Sequence, residues 1–147
     1  MKKSILIIIF ILLTVSSYAG KYSTTVNAAD EYGNTPLSTA IYNENLDMIK
    51  LLLNNKMDPN TVTDEYYGTT LFMWAISRDD NELAKLLIKK GANVNSLNYQ
   101  NLSVLGYTQN TETIKFLLNN GLDPNATDGN GNTPLMMGIL LGDYSLI

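Results

Sequence analysis

Hydrophobic positions fall in two arrangements along the chain. Near the start, Ile5 to Val15 is apolar throughout except for Thr14, directly behind Lys2 and Lys3. After residue 30 the pattern changes to short helical-period bursts separated by Gly, Asn and Asp. The apolar runs Leu51-Leu52-Leu53, Leu86-Leu87-Ile88 and Phe116-Leu117-Leu118 recur in register. So do the asparagines Asn27, Asn60, Asn95 and Asn125, at intervals of 33, 35 and 30 residues. This self-similarity marks a repeat architecture with a period near 33. The units run over 30–60, 64–95 and 98–125, with a partial fourth at 128–147. Each is expected to hold two short helices and a turn-rich connection. Neither helix can bury its stripe alone, so stacked units must share one core.

The ends of the predicted helices carry their own signals. Thr35-Pro36-Leu37 and Thr133-Pro134-Leu135 read as helix starts, threonine capping and proline occupying a first-turn position whose N–H is unpaired anyway. Asn45, Asp80, Asn110 and Asp143 are placed to cap the second helices. Asp47, Glu82 and Glu112 follow two residues later, where the helix dipole favours an acid. Lys50, Lys85 and Lys115 then lie within i,i+3 reach, an exposed ladder worth a few tenths of a kcal/mol per pair. Gly91 and Gly121 suit left-handed helix ends, and Lys56 stands in the same place in the first unit.

The order of these elements resembles the ankyrin repeat. Asp30, Gly33, Thr35, Pro36, Leu37 and Ala40, closed by Asp58-Pro59-Asn60, carry the likeness in unit one. In unit two it is carried by Asp64, Gly68, Thr70, Phe72 and Ala75, then Gly91-Ala92-Asn93-Val94-Asn95. The resemblance covers roughly residues 27–147. It implies an all-α repeat, an α-solenoid of antiparallel helix pairs with β-hairpin loops projecting from one edge, and a protein partner held on tips and first helices along a concave face.

Four departures from the pattern shape the expectations. The histidine that the family places after Thr-Pro-Leu is Ser38, Met73, Gly106 and Met136 here, so its capping network should be absent. Unit two has two extra residues between Asn60 and Gly68, which predicts a longer hairpin. Unit three is three residues short, since Thr108 to Gly121 spans 13 positions against 16 for Ala40 to Lys56, which predicts a cramped first helix. Unit four reaches Ile147 inside its second helix and should expose Met136, Met137, Ile139, Leu140, Leu141, Leu146 and Ile147. That end suggests either a truncated piece of a longer repeat protein or self-association.

The apolar stretch near the start reads as a secretory signal over 1–19, with Ser17-Tyr18-Ala19 preceding a cut before Gly20 and 20–29 as a lead-in. It is shorter than the roughly 20 apolar residues of a spanning helix. The expectation is an exported chain of bacterial type, periplasmic or secreted, without stable membrane insertion after cleavage. Cleavage leaves 8 basic against 14 acidic residues, a net charge of −6. With the basic residues scattered, nucleic acid is a poor partner. The sequence has no cysteine and no histidine, which removes thiol chemistry and the commonest general base and metal ligand.

Binding, and no enzymatic activity, is therefore expected, without a cofactor or metal. The expected partner-binding residues are Glu31, Tyr32 and Asn34, then Glu65, Tyr66 and Tyr67, then Tyr99 and Gln100 at the hairpin tips, with Tyr42, Asn43, Ser77 and Arg78, and Tyr107 beside them, on the first helices. Tyrosine offers a large amphipathic surface at little entropic cost. The competing expectation is that these rings only brace neighbouring hairpins. Acidic tips favour a partner of basic character. Trp74 is assigned to the core or the first-helix face. Asp128-Gly129-Asn130-Gly131-Asn132 opens like a calcium loop but lacks the glycine (Thr133) and glutamate (Ile139) that such a loop needs. Asp79-Asp80 would be the acids of a carboxylate-only hydrolase, but adjacent residues point apart and Asp80 has a cap to make. Asn101 and Asn125 begin N-glycosylation triplets.

Overall fold

The computed structural model describes residues 29–146, the side chain of Leu146 excepted. The leader, its cleavage point, most of the lead-in and the side chains of Leu146 and Ile147 lie outside the described residues. Three units and a partial fourth follow one another in register. Unit one holds α1 (Pro36–Tyr42) and α2 (Leu46–Asn54). Unit two opens with β1 (Val62–Asp64) and β2 (Thr69–Thr70), an antiparallel pair, and continues with α3 (Leu71–Ser77) and α4 (Asn81–Lys90). Unit three has a four-residue 3-10 turn, Val104–Tyr107, in place of a first helix, then α5 (Thr111–Asn119). Unit four holds α6 (Pro134–Leu141) and a 3-10 turn at Tyr144–Leu146.

The predicted caps form. Asn45 accepts from Met48 N, Asp80 from Leu83 N, and Asn110 from Glu112 N and Thr113 N. Asp143 accepts from Ser145 N at the start of the last turn. The helix ends close as expected, with positive φ at Lys56 (67°), Gly91 (100°) and Gly121 (92°). The next residue in each case donates back to the last helical turn, from Met57 to Leu52, Ala92 to Leu87 and Leu122 to Leu117. In unit one, Ser38, which stands where the family has histidine, joins the expected Thr35 cap. Ser38 Oγ accepts from Thr35 N while Thr35 Oγ1 accepts from Ser38 N, a reciprocal capping box built from hydroxyls.

One apolar core runs through the units. Leu37, Ile49, Leu53, Leu71, Phe72, Ile76, Leu83, Leu87, Leu105, Ile114 and Leu117 are all buried in it. No single unit closes this core, as the repeat period implied. Met137 joins it as well, which corrects its assignment to the exposed end; Leu135 is exposed in its stead, together with Met136, Ile139, Leu140 and Leu141. Of the outer ladder, Lys85–Glu82 and Lys115–Glu112 form at 2.7 Å, whereas Asp47 and Lys50 make no ion pair with each other. Lys115 also reaches Asp143 at 3.2 Å and ties α5 to unit four.

A row of asparagines joins the units. Asn60 Oδ1 accepts from Asn93 N at 2.8 Å, and its Nδ2 donates to Gly91 O at 3.3 Å. Asn95 repeats the arrangement one unit on, accepting from Asp123 N and donating to Gly121 O, both at 2.8 Å. These are the same asparagines that mark the period in sequence. Their physical task is to satisfy the backbone groups left over where the neighbouring unit's second helix ends.

Candidate functional site

Each hairpin tip is held by the first residue of its unit. Asp30 Oδ1 accepts from Tyr32 N and Asn34 N. The Asp64 carboxylate accepts from Tyr66 N and Tyr67 N. Asn98 Oδ1 accepts from Gln100 N and Leu102 N, and Asp128 Oδ1 from Asn130 N and Asn132 N. Gly33, Gly68, Asn101 and Gly131 then take the positive-φ position that turns the chain back. Asn101 stands where the other units have glycine, and asparagine tolerates that conformation better than most residues.

The backbone of every tip is thus held by a side chain of its own unit. The donors also shape the charge. The Asn34 side chain, then its backbone N–H, holds the Asp30 carboxyl below its ordinary range. Partial desolvation acts upward on Asp128, but the side chain and backbone of Asn132 and the N–H of Asn130 outweigh it and hold that carboxyl low. No lysine or arginine lies in the tip segments 29–35, 62–70, 98–102 or 127–133, whereas Asp30, Glu31, Asp64, Glu65 and Asp128 do. The charged side chains of the first, second and fourth tips are therefore all acidic, and the third tip is uncharged.

On this acidic edge the tyrosines differ from one another. Tyr32 and Tyr66 are each 81% exposed. Tyr67 is 47% exposed and meets Tyr66 edge to face, with centroids 4.7 Å apart. Tyr99 remains mostly exposed but leans on the preceding tip, where its N–H donates to Tyr67 O at 2.9 Å and its ring covers Gly68. Glu31, Glu65 and Gln100 are exposed beside them. Bracing and display, the two competing expectations for the tip rings, thus divide between Tyr99 and the Tyr32, Tyr66 and Tyr67 group.

The first-helix positions are more heavily engaged. Tyr42 is 87% exposed. Asn43 Nδ2 donates to Thr39 O, and Ser77 Oγ to Trp74 O, so both close their own helix. Asn34 Nδ2 is likewise tied to Asp30. Arg78 pairs with Glu44 at 3.1 Å and stacks over the half-buried Trp74 ring at 5.2 Å, linking units one and two. Tyr107 does not face outward beside them, contrary to expectation. Its hydroxyl sits 2.9 Å from Asn98 Nδ2 and 3.2 Å from Thr69 Oγ1, between units two and three. Asp80 caps α4, while Asp79 accepts from Thr113 Oγ1 at 3.0 Å.

Sequence reasoning missed three things. Asn98 is buried and replaces the aspartate of the other tips, a substitution visible only once the units are aligned. The asparagine rungs were legible as a period but not as bonds. Leu140 and Leu141 occupy the positions of Tyr42-Asn43 and Ser77-Arg78, counted from the helix cap, and make that face apolar in unit four.

A family profile described as ankyrin repeats (3 copies) matches residues 8–98, and one described as ankyrin repeats (many copies) matches 102–147. An ankyrin repeat protein of fowlpox virus (strain NVSL) is 32% identical over 114 residues, covering 77% of this chain and 15% of the relative. An ankyrin repeat protein of Acanthamoeba polyphaga mimivirus is 33% identical over 138 residues, covering 75% and 24%. The transient receptor potential channel pyrexia of Drosophila melanogaster is 32% identical over 117 residues, covering 78% and 12%. The chain therefore spans at most about a quarter of these relatives' length.

Proposed function

The chain belongs to the ankyrin-repeat family, and from that premise we propose that it is an exported, non-enzymatic recognition module for a protein of basic character. Ankyrin repeats generally mediate protein–protein interaction, and the relatives carry the repeat within much longer chains. One observation carries the reading: Tyr32, Tyr66 and Tyr67 stand on tips whose backbone is already locked by Asp30 and Asp64, along an edge without a cation. Preorganised tyrosines lose little entropy on binding, and a one-signed edge attracts a partner of opposite charge. No helix among the described residues is long and apolar enough to cross a membrane. Export is supported by the leader pattern of Lys2, Lys3, the apolar run and Ala19.

Affinity measured against the partner is the test. Tyr66→Ala and Tyr67→Ala together should weaken binding by about 1–2 kcal/mol or more, with added salt weakening it further. Unchanged affinity in a folded double variant would remove the tips from the interface. Intact mass of the chain recovered outside the producing cell should begin at Gly20, and a full-length mass retained inside would refute export.

A further inference from the structure

Unit three is short in a specific way. From the cap of the first helix to the cap of the second is ten residues in units one, two and four, Thr35 to Asn45, Thr70 to Asp80 and Thr133 to Asp143. In unit three, Ser103 to Asn110 is seven. The missing residues correspond to Ile76-Ser77-Arg78, and Ile76 is fully buried in its own unit. No unit-three residue aligns with it. A groove of about 560 Å³ opens beside Thr108 and Gln109, where the residues are missing, and runs to α6 of unit four. That volume lies in the range of ligand pockets.

The walls of the groove define its occupant. Leu102, Leu105, Met137, Leu140 and Leu141 supply apolar surface, and Leu140 is 70% exposed. Asp128 is the one charged side chain lining it. Its oxygens already accept from Asn130 and Asn132, so it stays anionic with lone pairs to spare. An acidic occupant would meet Asp128; a purely polar one would bury leucines against nothing.

We propose that the groove between units three and four is a socket for a branched aliphatic side chain, the counterpart of the absent isoleucine, carried on an extended lysine- or arginine-bearing segment of the partner protein. The socket rests on the reading of the chain as a protein-binding module and adds to it where the specificity lies. The exposed tyrosines supply area, whereas the socket selects an aliphatic residue next to a cation.

The test uses a displayed library of random nine-residue peptides selected against the full chain, followed by synthetic peptides in solution. Enriched sequences should place Ile, Leu or Val beside Lys or Arg. Their affinity should fall at least tenfold in Leu140→Glu, an exposed position where the fold is retained, and hold within twofold in Glu82→Gln, which lies on the outer ladder away from the groove. Inserting Ile-Ser-Arg after Thr108, which restores the unit-two spacing, should abolish binding and raise Tm. Methyl resonances of Met137 should shift on peptide addition. Peptides insensitive to Leu140→Glu but lost in the tyrosine variant overturn the socket and leave the interaction reading standing. Absence of any enriched peptide, or enrichment of acidic sequences, also overturns it, while the tyrosine variants against the whole partner still judge that reading separately. Self-association of the chain that Leu140→Glu abolishes would assign the groove to a second copy and overturn the proposal.

Discussion

The ring of Tyr99 covers Gly68. A methyl group on Gly68 would collide with the ring, and the residue sits at φ 69°, so two independent reasons reserve the position for glycine. The contact joins successive tips and is reinforced by the Tyr99 N–H bond to Tyr67 O. Gly68→Ala should therefore cost about 1–3 kcal/mol, more than a left-handed backbone alone imposes. Urea unfolding of Gly68→Ala, Tyr99→Ala and the double variant would show coupling, because removing the ring relieves the clash but not the backbone strain. Additive losses would mean that the ring does not rest on Gly68.

The asparagine rungs make a graded prediction. Asn95 makes two side-chain bonds to the next unit at 2.8 Å, and Asn60 makes one at 2.8 Å and one at 3.3 Å. Asn95→Ala should cost about 1–2 kcal/mol and Asn60→Ala somewhat less. Asn125→Ala, whose side chain makes no such bond among the described residues, should cost least. Equilibrium denaturation orders the three, and an Asn125→Ala loss equal to that of Asn95→Ala would contradict the rung assignment.

Lys56 holds φ 67° at the position that Gly91 and Gly121 occupy in the following units. A side chain in that region costs roughly 1 kcal/mol. Lys56→Gly should stabilise the chain by about 0.5–1 kcal/mol, seen as a higher urea midpoint at unchanged slope. No gain would mean that Lys56 contributes a compensating contact.

Acid should loosen the tips and the last unit first. Asn34 holds Asp30 low, Asn132 and Asn130 hold Asp128 low against its desolvation, and Ser145, Thr111 and Lys115 hold Asp143 low. Folded-state values below the unfolded ones mean that the stabilisation is full above about pH 5 and is lost as pH falls through the folded values. Hydrogen exchange of Ser145, Asn130, Asn132 and Tyr32 amides, compared at fixed intrinsic rate, should lose protection below about pH 4 before the core helices do. Lys115→Met should raise the pH at which Ser145 loses protection, because the cation helps hold Asp143 ionised.

What a sequence can show is largely what stays within one unit. The caps at Asn45, Asp80 and Asn110 and the turn at Gly91 depend on partners within a few residues, so identity and spacing predict them. Unit three's shortage was legible for the same reason, and the 3-10 turn at Val104–Tyr107 is its local consequence. The exposure of Tyr66 also followed from its place on a tip.

Other features depended on what lies across a unit boundary, which no within-unit spacing encodes. Tyr107 has a first-helix position but turns its hydroxyl to Asn98 and Thr69, because that buried amide needs an acceptor. Met137 is apolar like Met136, yet only Met137 meets the core. The missing three residues predicted a cramped helix but not the groove beside it, since a cavity belongs to two neighbours at once. Sequence alone determined the repeat, its caps and its acidic tips, through local hydrogen bonds and periodicity. The tertiary structure alone decided which tyrosines are displayed, which asparagines staple and where the stack is open, because each depends on packing one unit against the next.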